Sequence, residues 1–152
     1  MGLLIRPLGA SPHLATVAGW LHRQWWAADG WTLEATTEWL AAALGPAAPL
    51  TLVAEQDGVP LGTATLDTED LDSRPDLSPW LASVLVTPPA RRQGVATALL
   101  RAIEDRARAL GHAKLWLYTP DKAQFYAMRG WREAGPELWR DRPVTLMRRD
   151  LR

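Results

Sequence analysis

With 152 residues, 47% of them hydrophobic, the chain has the length and composition of one globular domain, and we expect a single domain over residues 1–152. Its 17 basic and 17 acidic residues cancel, which argues against broad electrostatic attraction to nucleic acid, and no apolar run reaches the roughly 18 residues of a membrane span. The absence of cysteine excludes disulfides, thiolate metal sites and thiol nucleophiles and fits a cytoplasmic protein, and no signal peptide is legible.

Leu3-Leu4-Ile5-Arg6 reads as a short first strand ended by Pro7. Ser11-Pro12 supplies N-cap and first-turn chemistry for a helix whose face repeats Leu14, Val17, Leu21 and Trp25, and Asp29-Gly30 breaks it. A second helix, about Leu33 to Leu44, opens at Thr32 and closes at Gly45-Pro46. Leu50 to Glu55 and Leu61 to Leu66 are strands joined by the Asp57-Gly58 turn of a hairpin. The acid-rich stretch from Asp67 to Pro79 is a loop.

Leu81 to Val86 reads as a buried strand closed by Thr87-Pro88-Pro89. Behind it, Ala96, Leu99, Leu100, Ile103, Ala107 and Leu110 recur at helical spacing as far as Gly111. Lys114 to Tyr118 is apolar enough for a central strand. Thr119-Pro120-Asp121 opens a short helix, Asp121 to Arg129, stopped by Gly130. The tail offers Trp131 to Glu133, resuming near Glu137, and Val144 to Arg148 as strands. This order predicts an α/β fold, a mixed sheet with helices on both faces, in which Leu81 to Tyr118 forms a right-handed parallel crossover.

The most informative stretch is Arg91-Arg92-Gln93-Gly94-Val95-Ala96, between an apolar strand and an amphipathic helix. A helix start presents unpaired N–H groups and a partial positive charge, so it can hold an anion. Gly94 lets the backbone approach closely, Ala96 leaves room, and two guanidinium groups stand alongside. This chemistry suits pyrophosphate. The glycine patterns of nucleoside triphosphate and dinucleotide sites are absent.

Arg91-x-x-Gly94-x-Ala96 resembles the Gln/Arg-x-x-Gly-x-Gly/Ala hallmark of the GNAT superfamily of acyl-CoA-dependent N-acetyltransferases. About thirty residues on, Phe125-Tyr126-Ala127-Met128-Arg129-Gly130-Trp131 is similar to that family's Phe-Tyr-x-x-x-Gly-Phe. The resemblance implies a GNAT-like, mostly antiparallel mixed sheet with one parallel strand-helix-strand crossover, and acetyl-CoA as acyl donor without a metal. It implies that backbone amides of Gln93, Gly94, Val95, Ala96 and Thr97 hold the pyrophosphate, with Arg91 and Arg92 near the phosphates. Val84, Leu85 and Val86 would offer backbone groups to the pantetheine arm, in a splay between the two central strands. Tyr126 would protonate the departing thiolate, its alternative being a tyrosine that packs the short helix on the sheet. Thr119 stands where many relatives place an asparagine against pantetheine, and it equally suits the N-cap of the next helix.

No general base is assigned. Asp67, Glu69, Asp70 and Asp72 read first as loop acids, and His13, His22 and His112 as surface residues. Of the nine tryptophans, Trp26 and Trp31 beside the Asp29-Gly30 break and Trp80 before the coenzyme strand are candidates to bind an acceptor, whereas Trp25 and Trp39 read as inward faces. The expected acceptor is the amine of a small molecule or peptide. Neither nucleic acid nor membrane is an expected partner, and a homodimer is left open. The rival readings are a non-catalytic acyl-CoA-binding sensor domain and a tryptophan-rich protein-interaction module.

Overall fold

The computed structural model describes residues 2–152. Its elements are β1 (Leu4–Pro7), α1 (Leu14–Leu21), α2 (Leu33–Ala42), β2 (Leu50–Gln56), β3 (Val59–Asp67), β4 (Trp80–Val86), α3 (Val95–Ala109), β5 (Lys114–Thr119), α4 (Ala123–Ala127), β6 (Arg132–Trp139) and β7 (Arg142–Asp150). The seven strands lie in the order β1-β2-β3-β4-β5-β7-β6, antiparallel throughout except for the β4–β5 pair.

Alternation along the strands decides which helix covers which face. Leu52, Ala54, Ala64, Leu66, Leu115 and Leu117 form one buried layer with Leu99, Leu100, Ile103 and Ala107 of α3. On the other face Val53 packs with Val17, Ala18 and Leu21 of α1 and Leu40 of α2. A third cluster, Leu71, Trp80 and Leu146, lies beneath the loop between β3 and β4 and includes Trp116, Tyr118 and Trp139 at its margin. Helices therefore flank the sheet on both sides, as the element order requires.

Local signals account for several boundaries. Asp57 and Gly58 take φ of 53° and 79° and turn β2 into β3. The Thr32 hydroxyl accepts from the Ala35 N–H at 3.0 Å and starts α2. The first helix ends differently from expectation: after Leu21 it continues as one π-type turn, His22–Trp26, which carries Trp25 and Trp26. The short helix is also tighter than its signals suggested, with helical geometry confined to α4. Strand β6 runs unbroken through Gly135, which sits at a register shift with φ 122° and absorbs the irregularity that split the strand in the sequence.

Two buried carboxylates hold elements together. Glu104, on the inward face of α3, accepts from the Trp131 indole at 3.2 Å and from Arg101 at 3.0 Å. Glu55 on β2 bonds His13 Nε2 at 3.0 Å and pairs with Arg6 of β1, so His13 is buried rather than on the surface. No helix among the described residues is long and apolar enough to cross a membrane.

Candidate active site

Among the described residues the β4–β5 ladder contains a single bridge, Trp80 with Trp116, beside the bond from the Trp116 N–H to the Pro79 carbonyl (3.1 Å). Past that point the strands part. On its other edge β4 is bulged, with Ser83 and Val84 opposite the one residue Ala64 and Ser83 at φ 55°. A bulge bends its strand and sharpens its twist, which carries β4 away from β5. The opening is a cavity of about 600 Å³. Toward α3 and α4 it is lined by Thr119, Lys122 and Tyr126, and toward α1 and α2 by Trp25, Trp26, Asp29, Asp70, Asp72, Trp139 and Arg140.

The Arg91–Ala96 turn starts where β4 ends. Arg91 Nε donates to the Val86 carbonyl at 3.2 Å, and the Gln93 side chain donates to the Pro89 carbonyl at 3.1 Å. Arg92 and Gly94 both adopt left-handed backbone, φ 64° and 81°. The first helical bond of α3 runs from the Ala98 N–H to the Gly94 carbonyl at 3.0 Å, so the Val95, Ala96 and Thr97 N–H groups are not consumed by the helix. A Cβ on Gly94 would meet no atom within 4 Å, so the turn faces open space. Val84, Leu85 and Val86 span the distance between this turn and the cavity, with Val84 on the cavity wall.

The two motifs meet through Arg129. Its guanidinium lies 3.7 Å over the Phe125 ring, donates to the Phe125 carbonyl at 2.8 Å and donates to Thr97 Oγ1 at 2.8 Å. That fixes α4 against the first turn of α3 and aims Tyr126 at the cavity. Tyr126 packs on Trp131 with ring centroids 6.0 Å apart, and its hydroxyl makes no hydrogen bond among the described residues. Burial pushes its phenol up to about 12, against a small opposing effect of Arg129, so it is protonated at neutral pH. Thr119 lines the same cavity, and its hydroxyl accepts from the Lys122 N–H at 2.9 Å. It caps the following turn and faces the opening at once.

The aromatic residues divide. Trp26 is on the cavity wall, with Trp31 tilted against it at 5.0 Å and Trp39 edge-on at 5.3 Å. Trp31 is 41% exposed and lies outside the wall. Trp80 must be corrected from acceptor contact to core: it is 0% exposed, its indole N–H donates to the Leu77 carbonyl at 2.8 Å, and it packs with Leu71 and Leu146. It supports Tyr118, its ring neighbour at 6.3 Å, which does line the cavity.

Tyr118, Trp139 and Arg140 were not singled out in the sequence. Alternation from buried Leu117 and Thr119 puts Tyr118 on the α1–α2 side of β5, a legible signal. Trp139 and Arg140 reach the site only because β7 inserts between β5 and β6, which brings their turn beside the opening. Arg140 is ion-paired with Asp29 and lies 4.9 Å over the Trp139 ring. The carboxyl of Asp70 is pushed up to about 7, chiefly by burial and further by Asp67 and Asp72.

A family model described as acetyltransferase (GNAT) family matches residues 16–135. Among solved structures, N-acetylglutamate synthase from Neisseria gonorrhoeae, complexed with coenzyme A and N-acetyl-glutamate, is similar with a TM-score of 0.71 and 24% identity. The match covers 100% of this chain and 36% of that one, so the chain spans about a third of the synthase's length. An aminoglycoside 6'-N-acetyltransferase complexed with coenzyme A gives 0.74 at 15% identity, over 98% of this chain and 97% of that one. The Salmonella typhimurium protein yncA, with its cofactor acetyl-CoA, gives 0.74 at 17% identity, over 100% and 95%. At these identities the neighbours show a shared fold. No curated protein sequence matches.

Proposed function

Since the chain belongs to the GNAT family of acetyltransferases, we propose that the β4–β5 opening is where acetyl-CoA delivers its acetyl group to an amine by direct attack. The observation that carries this reading is continuity. One open strand edge leads from a turn with unspent N–H groups, past Val86, Leu85 and Val84, to a cavity that holds a protonated phenol.

The residues fit the donor. Left-handed Arg92 and Gly94 and the first turn of α3 make a concavity of N–H groups suited to pyrophosphate, with the guanidinium groups of Arg91 and Arg92 alongside. The unpaired edge of β4 can take pantetheine as an added strand. Thr119 offers a hydroxyl at the far side. The acetyl group is then brought toward Tyr126, with Trp26 on the acceptor's side of the cavity.

In the transfer itself, the neutral amine attacks the thioester carbonyl. The new C–N bond forms, the C–S bond breaks, the nitrogen releases one proton to solvent, and the departing thiolate takes a proton from Tyr126, which is restored from solvent. A hydrogen bond to a charged group is stronger than one between neutral groups, so the phenol acts mainly where negative charge develops. The absence of cysteine removes a thiol carrier of the acyl group and favours attack within a ternary complex.

Calorimetry with acetyl-CoA and thiol release across an amine panel test this reading. We expect binding in the wild type, amine-dependent thiol release, and weakened binding by Gly94→Val in a folded variant. Binding without amine-dependent release would make the chain a non-catalytic binder, and undiminished affinity in Gly94→Val would remove the turn from the donor site.

A further inference from the structure

The α1–α2 side of the opening carries the chemistry that selects the acceptor's class, an inference that deepens the acetyl-transfer reading and rests on it. Three carboxylates stand there, Asp29, Asp70 and Asp72, among the rings of Trp26, Tyr118 and Trp139. Asp29 already has its cation in Arg140, which is also held over Trp139. Asp70 and Asp72 have no hydrogen bond or ion pair to a side chain or backbone group among the described residues. Asp70 is partly buried, open toward the cavity, and Asp72 is exposed at the cavity's rim, so the cost of an unpartnered charge falls on Asp70.

A carboxylate drawn from water without a partner is unfavourable, and a cation supplied by a ligand removes that cost. Arg140 is committed, and Lys122 is exposed on the α4 side of the opening, so an anionic acceptor would meet uncompensated carboxylates with no free cation beside them. The reacting nitrogen cannot be the group those acids hold as an ammonium, because it attacks only when neutral. The aromatic walls suit both an apolar spacer and a cation.

We propose that the acceptor is an amine bearing at least one further positive charge, and that Asp70 and Asp72 receive that second charge while the neutral nitrogen reaches the thioester between β4 and β5. The groups facing Asp70 are Asp67 and Asp72 from its own loop, Asp29 from the α1–α2 connection, Tyr118 from β5 and Arg140 from the β6–β7 turn. Of these only Arg140 is cationic, and it is spent on Asp29.

The test compares putrescine, cadaverine and spermidine with monoamines of matching chain length, by thiol release and by calorimetry on CoA-loaded protein. We expect the best diamine or triamine to exceed its monoamine by about tenfold or more in kcat/KM, the scale of one partly buried ion pair. Asp70→Asn and Asp72→Asn should shrink that ratio toward one, and Asp70→Glu should restore part of it. Binding of the favoured amine should release protons at pH 7 and fewer at pH 8.5, because the cation favours the ionised carboxylate. Equal use of mono- and polyamines by the wild type, or an Asp70→Asn variant that slows both alike, would overturn the proposal. Should acetyl-CoA bind and no amine react, the transfer reading fails by itself. Calorimetry then still decides this inference, by whether polyamine binding exceeds monoamine binding and depends on Asp70.

Discussion

Replacing Asp70 by asparagine should stabilise the protein at alkaline pH and do little near pH 4. The reason is proton linkage. The folded state holds the carboxyl near 7, whereas the unfolded chain holds it near its ordinary 3.8. Between those values the native state binds more protons than the unfolded one, so stability falls as pH rises through this window and levels off above it. At about 1.4 kcal/mol per pH unit the gap amounts to at most ~4 kcal/mol by pH 8. Asparagine has nearly the same shape and no charge to desolvate. Urea denaturation of wild type and Asp70→Asn at pH 4.5, 6, 7 and 8 measures the difference directly. We expect a difference of at most about 1 kcal/mol at pH 4.5 and an advantage for the variant of about 2–4 kcal/mol at pH 8, the lower bound allowing for a side chain that turns toward water. A difference that is constant across the series, or a variant less stable at pH 8, would refute the picture of an unpaired carboxylate held in the cavity. The same charge that costs stability is the one assigned to the acceptor.

Four other substitutions separate site from scaffold. Tyr126→Phe should lower kcat about 10²-fold, on the scale of general-acid catalysis, with acetyl-CoA affinity by calorimetry nearly unchanged; an unaltered kcat, with chemistry shown to limit the rate, would dismiss it as the acid. Trp80→Ala should cost ~3–5 kcal/mol in chemical denaturation because its indole is wholly enclosed, whereas Trp26→Ala should mainly raise the acceptor KM; the reverse pattern would restore Trp80 to the site. Glu104→Ala strands Arg101, Arg149 and the Trp131 indole around a vacated carboxylate. It should destabilise the fold by about 3–5 kcal/mol, and a loss below ~1 kcal/mol in the same assay would contradict its part in joining α3 to Trp131 and to β7.

Much of the architecture was legible because its signals are local. The Asp57-Gly58 turn, the Thr32 cap and the apolar repeat from Ala96 to Ala107 need only neighbours a few residues away to declare themselves. What escaped depends on distant pairing. Nothing around Trp139 says that β7 will lie between β5 and β6, yet that order carries Trp139 and Arg140 to the opening. The loop after β3 reads as solvated acids, but Leu71 is buried beside Trp80 and Leu146, and this anchor holds Asp70 against the cavity. Trp80 misled for a related reason. It is the first residue of β4, whose opening residues are buried on both faces, so sequence alone did not say which way the indole points.

The central claim is that this opening passes an acetyl group from acetyl-CoA straight to an amine. Single-turnover mass spectrometry with labelled acetyl-CoA and a polyamine tests it most directly. We expect the label to appear on the amine in step with free thiol, with none on the protein. Labelled protein ahead of labelled amine, or thiol released without acetylated amine, would contradict it.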